Sequence, residues 1–134
     1  VPNCGACEFG MVDYLDHCFE YYASGQFFQN EHNISGEEVY KNAKSGDQAA
    51  QHLYAEMGTH LGNAVKLIMY TYDPSLIILG GSVRFAYPFF REAMWERIQT
   101  LAYPKSVEGL RIELSDLENS GILGAAGLYY DYLQ

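Results

Sequence analysis

Three cysteines near the start of the chain are the residues best suited to chemistry. Cys4 and Cys7 form a Cys-x2-Cys pair in "NCGACE", and Cys18 follows in "HCFEYYASG". A Cys-x2-Cys turn can supply two of the four tetrahedral ligands that zinc prefers. Cys18 would be a third ligand, and His17 or a group outside the chain would be the fourth. The alternative is that these are ordinary buried thiols.

The number of cysteines also bears on their chemistry. The chain has three, all within its first 18 residues. An odd count argues against a closed disulfide framework. Clustered thiols in a reducing compartment favour a metal over a disulfide bridge. We therefore predict a structural zinc site in a cytoplasmic protein.

A carboxylate and a glycine pair are the next candidates. Glu20 lies two residues after Cys18 and could accept hydrogen bonds from sugar hydroxyls, although its spacing alone favours a solvated helix glutamate. Gly80 and Gly81 follow an apolar run in "LGGSV", with Ser82 as an additional donor. Glycines there let the backbone approach a phosphate. A plain strand-to-helix turn is an equally good interpretation.

The elements that must position these residues are mostly helices. The spacing in "MVDYLDHCFEYYAS" predicts a helix with Tyr14, Cys18 and Tyr22 on one stripe, stopping at Gly25. The next predicted helix is capped by Ser35 or Gly36 and runs through Lys44, with Glu37 and Glu38 at the positive end of its dipole.

The strongest helical period follows Asp47, which is a suitable N-cap. Gly58 and Gly62 lie one turn apart in this helix, and each costs about 1 kcal/mol relative to alanine. That cost predicts close packing of another element against them. Pro74 prevents the helix from continuing.

Two strands are visible in the second half of the chain. "SLIILGG" is typical of a strand buried on both faces, and "GLRIELSD" alternates apolar and polar residues. "FAYPFFREAMWERIQTLAY" between them predicts a helix with Pro88 in its first turn. "GILGAAGLYYDYLQ" predicts a closing helix. Two strands make a poor sheet, so we expect further strands before residue 1.

Composition excludes several classes of function. The net charge of −9 disfavours binding of nucleic acid by this segment, because phosphate backbones would be repelled. No apolar run approaches the roughly 20 residues that span a bilayer. His32, His52 and His60 have no carboxylate or hydroxyl partner at a telling spacing, so we predict no catalytic role for them.

Four segments together resemble one protein family. "CFEYYASG" is similar to a Cys-x-Glu-x-x-x-Ser-Gly segment, and "SGDQAA…LG" to a Gly-Asp-x-x-Ala…Leu-Gly helix. "YDPSLIILGGSV" and "SGILGAAGLYY" are similar to two further motifs, in the same order along the chain. The family is ROK, named for repressor, open reading frame and kinase.

The resemblance implies a fold and a function. The fold is α/β: residues 1–134 would be the C-terminal lobe of an actin-like, ribonuclease-H-like ATPase fold, helix-rich with a few central strands. Residues 1–25 would carry the zinc loop and sugar contact, and 26–134 the helices and strands of the lobe. The function implied is ATP-dependent phosphorylation of a hexose or amino sugar by a glucokinase-like cytoplasmic homodimer. The alternatives are a sugar-sensing repressor and a zinc-stapled interaction module.

The resemblance also implies roles for residues. Cys4, Cys7 and Cys18 would hold structural zinc, Glu20 would contact the sugar, and Gly80 and Gly81 would lie along the nucleotide. The cofactors implied are ATP, Mg²⁺ and Zn²⁺. The family's catalytic aspartate has no counterpart here, so we expect this chain alone to be inactive. An insertion between Cys7 and Cys18 departs from the family pattern, and His17 replaces a usual glycine.

Overall fold

The computed structural model describes residues 11–115 and 128–131, the latter by backbone alone. The first described element is a β-hairpin. Strand β1 (Asp13–Tyr14) pairs antiparallel with β2 (His17–Cys18) across a two-residue turn. Leu15 in the turn has a φ of 53°, the left-handed conformation that such tight turns require.

The hairpin corrects one prediction. A helix was expected from Met11 onwards, but helix α1 (Phe19–Ala23) begins only after the hairpin. Tyr14 and Cys18 therefore do not lie on one helical stripe with Tyr22. The tight turn at Leu15 interrupts any helix, since its backbone has the opposite hand. Short-range periodicity does not carry this information.

The next helices largely follow the predicted caps. Helix α2 (Phe27–His32) was not predicted. Helix α3 (Gly36–Lys44) begins at Ser35, whose side chain accepts a hydrogen bond from the Glu38 amide. Helix α4 (Gln48–Tyr72) begins at Asp47, which accepts from the Ala49 amide.

The second half alternates helices and strands. After strand β3 (Leu76–Leu79) come a 3-10 helix (Ser82–Ala86) and helix α5 (Tyr87–Ile98), with Pro88 in its first turn as predicted. Helix α6 (Pro104–Gly109), which was not predicted, leads into strand β4 (Arg111–Leu114).

The sheet has three described strands in the order β4-β3-β5. Strand β5 is Leu128–Asp131. β3 is central, parallel to β4 and antiparallel to β5. The predicted closing helix is therefore wrong at residues 128–131, where leucine and tyrosines suit a strand that completes the ladder of β3. The remainder of that predicted helix lies outside the described residues.

The core forms where α4 and α5 pack together. A Cβ added to Gly58 would lie 2.5 Å from the Phe90 carbonyl oxygen, and one added to Gly62 would lie 2.6 Å from that of Met94. The predicted close approach is thus confirmed. The largest fully buried side chains around this contact include Phe27, Phe28, Met57, Ile68, Ile77, Phe90 and Met94. No helix within the described ranges is both long and apolar enough to cross a membrane.

Candidate functional site

The hairpin places the predicted metal ligands His17 and Cys18 side by side. Successive strand residues point to opposite faces. The His17 ring is exposed and stacks on the Tyr21 ring with 3.8 Å between centroids. The Cys18 thiol is half-buried at the N-cap of α1 and makes no capping hydrogen bond. The role of His17 as the fourth ligand stays a prediction.

The other two predicted zinc ligands, Cys4 and Cys7, lie outside the described residues. Within residues 11–115 and 128–131, no three His, Cys, Asp or Glu side chains converge as a metal site. The described part of the chain therefore offers zinc a single thiol, Cys18. The zinc site stays a prediction.

Glu20 lies in the first turn of α1, which packs against α4. The helix buries Phe19, Tyr22 and Ala23 and leaves Glu20 half-buried. Among the described residues, the side-chain hydrogen bond made to Glu20 is to its backbone carbonyl, and none is donated to its carboxylate. The carboxylate is therefore available to accept hydrogen bonds from a ligand.

The end of α1 is fixed by Ser24. This side chain is fully buried, donates a 2.7 Å hydrogen bond to the Glu20 carbonyl oxygen, and accepts one from the Gln26 amide at 3.2 Å. The two bonds hold the turn after α1 in place. Ser24 thus has a local structural role, which is to hold the backbone that carries Glu20.

A chain of hydrogen bonds joins the hairpin to α4 and α5. The Arg97 Nε donates to Asn63 Oδ1 at 2.8 Å, and the Asn63 Nδ2 donates to the Tyr14 hydroxyl at 2.7 Å. The Tyr14 hydroxyl lies 2.8 Å from His60 Nδ1. We name these four residues the polar relay. It ties the segment that carries Cys18 and Glu20 to the helical core.

The donor and acceptor roles of Asn63 follow from arginine. Arg97 can only donate, so the Asn63 oxygen must face it and the Asn63 nitrogen must face Tyr14. The Tyr14 oxygen accepts that bond, and the same hydroxyl shares a second hydrogen bond with His60 Nδ1, whose direction is set by the tautomer of the imidazole. Burial lowers the pKa of His60, while the charges of Glu56 and Glu31 act in the opposite direction.

Sequence reasoning missed the polar relay. Tyr14 lies 46 residues from His60 and 49 from Asn63, and Arg97 lies 34 from Asn63. The available signal was polar residues at positions 60 and 63, one turn apart beside Gly62 on the packed face of α4. His60 is half-buried and has a hydroxyl partner, Tyr14, which is too distant in sequence for residue spacing to reveal it. His32 likewise has a carboxylate partner, Glu56, at 3.2 Å.

The predicted nucleotide segment lies at the carboxyl end of β3. Gly80 is buried, Gly81 has a φ of 74° that favours glycine, and Ser82 is exposed at the start of the 3-10 helix. β3 has a parallel neighbour on one side and an antiparallel neighbour on the other. The carboxyl ends of strands in open α/β sheets are a common place for ligands.

The two groups of predicted site residues belong to separate parts of the chain. His17, Cys18 and Glu20 lie within β2 and the first turn of α1, whereas Gly80 to Ser82 follow β3. Within the described ranges, no hydrogen bond or ion pair connects the groups. They meet the core through different helices, since α1 packs on α4 and the 3-10 helix packs on α5.

Known structures share this fold. A protein of Cytophaga hutchinsonii assigned as a sugar kinase is 26% identical with a TM-score of 0.61, over 78% of this chain and 35% of that one. A ROK-family transcriptional regulator, a homologue of the E. coli MLC protein, is 21% identical with a TM-score of 0.65, over 82% and 32%. The ROK hexokinase of Thermus thermophilus is 22% identical with a TM-score of 0.60, over 89% and 45%.

The chain spans less than half of the length of each of these three proteins. At 21% and 22% identity, the regulator and the hexokinase show the common fold alone. The model of one family, the ROK family, matches residues 13–131, from the first residue of the hairpin to the last residue of β5. That match covers most of the sequence, and the resemblance seen in its motifs is thereby confirmed: the chain belongs to the ROK family.

Proposed function

We propose that this chain is the C-terminal lobe of an ATP-dependent kinase that phosphorylates a hexose or amino sugar. The observation that carries the proposal is the ROK match over residues 13–131, together with a sugar kinase at 26% identity among the similar structures. The proposal includes the actin-like ATPase fold, a cytoplasmic location and a homodimer. Residues 1–25 would carry the zinc loop and sugar contact, and 26–134 the rest of the lobe.

Glu20 would bind the sugar. A carboxylate without a donor among the described residues can accept hydrogen bonds from two hydroxyls, and such charge-assisted bonds are short and strong. Ser24 holds the helix end, and the polar relay holds the preceding hairpin. The role of these groups is to orient the sugar, since phosphoryl transfer depends on positioning and electrostatic stabilisation.

Gly80, Gly81 and Ser82 would line the nucleotide side of the cleft. A side chain at Gly81 would have to adopt a strained backbone, so glycine keeps this turn open to a phosphate or ribose. ATP and Mg²⁺ would supply the phosphoryl group and neutralise its charge. Zinc held by Cys4, Cys7 and Cys18 would stiffen the loop before Glu20. The catalytic base would come from the part of the protein outside this chain.

The test uses the full-length protein with ATP, Mg²⁺ and a panel of hexoses and N-acetyl amino sugars. Sugar-dependent formation of ADP is expected. Glu20→Gln should raise the KM for sugar about 10- to 100-fold, because charge-assisted hydrogen bonds contribute about 1.5–3 kcal/mol. Glu37→Gln, on the exposed first turn of α3, is the matched control and should leave KM unchanged. An unchanged KM in Glu20→Gln would remove this residue from the sugar site.

A sugar-sensing repressor is the second candidate. The observation that favours it is the shared fold with a ROK transcriptional regulator, at a TM-score of 0.65. In that case sugars would raise the melting temperature of the full-length protein without any release of ADP. A kinase would show both effects.

A further inference from the structure

Arg84 is a buried cation next to the glycine turn after β3. Only 7% of the residue is exposed. Its Nη1 donates a 2.6 Å hydrogen bond to the Gly81 carbonyl oxygen, and the guanidinium lies over the Phe85 ring at 4.3 Å from the centroid. In the part of the chain that the structure describes, no carboxylate forms an ion pair with Arg84.

This environment leaves most of the guanidinium's bonding capacity unused. Arginine has five N–H donors, and burying its charge is costly unless it is paired. Among residues 11–115, one neutral carbonyl accepts a hydrogen bond from it and one aromatic ring lies beneath it. Among the described residues, every fully buried side-chain nitrogen or oxygen has a hydrogen-bond partner. These residues provide no acceptor for Nε and Nη2 of Arg84. The two atoms are therefore not fully buried and remain accessible to solvent.

Arg84 lies next to the glycine turn that is the proposed nucleotide segment. The residue is in the 3-10 helix that directly follows Gly80 and Gly81, at the carboxyl end of the central strand. A guanidinium edge with two parallel donors matches the oxygens of a phosphate. The chain carries a net charge of −9, so a phosphate approaching it needs a local cation to offset repulsion.

We propose that Arg84 binds a phosphate group of the nucleotide through Nε and Nη2, while Nη1 holds the Gly81 carbonyl. Arg84 is then a ligand-contacting residue that determines affinity for the charged part of the nucleotide. This inference rests on the proposed function for the identity of the ligand, but the anion-binding step depends only on Arg84 and its surroundings.

The experiment measures dissociation constants of ADP, adenosine and pyrophosphate for the full-length protein by calorimetry. Arg84→Gln should weaken ADP about 10- to 100-fold, the range that loss of a charge-assisted hydrogen bond gives. Adenosine, which has no phosphate, should change by less than about twofold. Arg91→Gln, an exposed arginine on α5, is the matched control and should change neither ligand. Arg84→Lys keeps the charge and should retain part of the ADP affinity.

Each other outcome has a distinct meaning. Equal weakening of ADP and adenosine in Arg84→Gln would make Arg84 a support for the turn only and would overturn the inference. A lower melting temperature with an unchanged ratio of ADP to adenosine affinity, seen also in Arg84→Lys, would make the role of Arg84 structural and would overturn the inference too. If the wild-type protein binds neither ADP nor pyrophosphate, both the inference and the kinase proposal fail. Pyrophosphate binding that depends on Arg84, without nucleotide binding, would support the anion site and refute the kinase.

Discussion

The contact between α4 and α5 and the contact between the hairpin and α4 are held by opposite means. The two helices meet where Gly58 and Gly62 remove side chains altogether, so that backbones touch. The hairpin is attached through a polar group, the Tyr14 hydroxyl, which hydrogen-bonds Asn63 and His60 of α4. At the two glycines the first contact has no group to titrate and little room to adjust. The second depends on each donor meeting an acceptor, and it responds to a single missing atom or proton.

The largest effect is expected where the backbones touch. Gly58→Ala and Gly62→Ala would each place a methyl group within about 3 Å of a backbone carbonyl that cannot rotate away. We expect a loss of about 3 kcal/mol in the free energy of unfolding, even though alanine favours helix by about 1 kcal/mol. Urea denaturation of the full-length protein measures this loss.

The matched control is Gly109→Ala at the end of α6, where an added Cβ meets nothing within 4 Å. It should be neutral or slightly stabilising. Wild-type stability in Gly58→Ala would show that α5 can shift, and the contrast with the hairpin would then be lost.

A smaller effect is expected when the hairpin loses one oxygen. Tyr14→Phe leaves the Asn63 amide without its acceptor and His60 Nδ1 without its hydroxyl partner, in a part-buried place. An unsatisfied polar group of this kind costs about 1–3 kcal/mol, and we expect about 2 kcal/mol. Tyr103→Phe, an exposed tyrosine, should cost less than about 0.5 kcal/mol. Equal stability of the two variants would mean that packing alone holds the hairpin.

The smallest effect is that of one proton on the polar relay. Burial lowers the pKa of His60 from its ordinary 6.5, so the unfolded chain binds this proton more readily than the folded one. Stability should therefore fall as the pH drops below about 6.5. In the protonated ring Nδ1 is a donor, so the Tyr14 hydroxyl that faces it can only accept there.

Urea midpoints between pH 5 and pH 8 test the effect of this proton. His60→Asn, which cannot titrate, should lose that part of the pH dependence. His52→Asn, on the exposed side of α4, should retain it. A pH profile in His60→Asn identical to that of the wild type would contradict the titration of His60.

The same contrast explains which features the sequence predicts. The caps at Ser35 and Asp47, the paired glycines of α4 and the central strand depend on neighbours in sequence, and the structure has them where the pattern predicts. The hairpin was missed because leucine at position 15 is not a residue type that predicts a left-handed backbone. The family match shows which proteins the chain is related to, which the spacing of its residues alone does not.

The candidate site divides in the same way. The residue types at Cys18, Glu20 and Gly81 predict the kinds of contact that they could make. These residues lie in β2, in the first turn of α1 and in the turn after β3. The polar relay and the surroundings of Arg84 result from packing between distant segments, so no local sequence pattern predicts them. Both depend on which hydrogen-bond donors and acceptors the fold brings together.

The position of β3 at the centre of the described sheet limits how the protein can be assembled. Both of its backbone edges are already paired, one with β4 and one with β5. Any additional strand can therefore join this sheet only on the outer edge of one of those two neighbours. The sheet can grow at either edge, while the turn at Gly81, which follows the central strand, stays between the neighbouring strands.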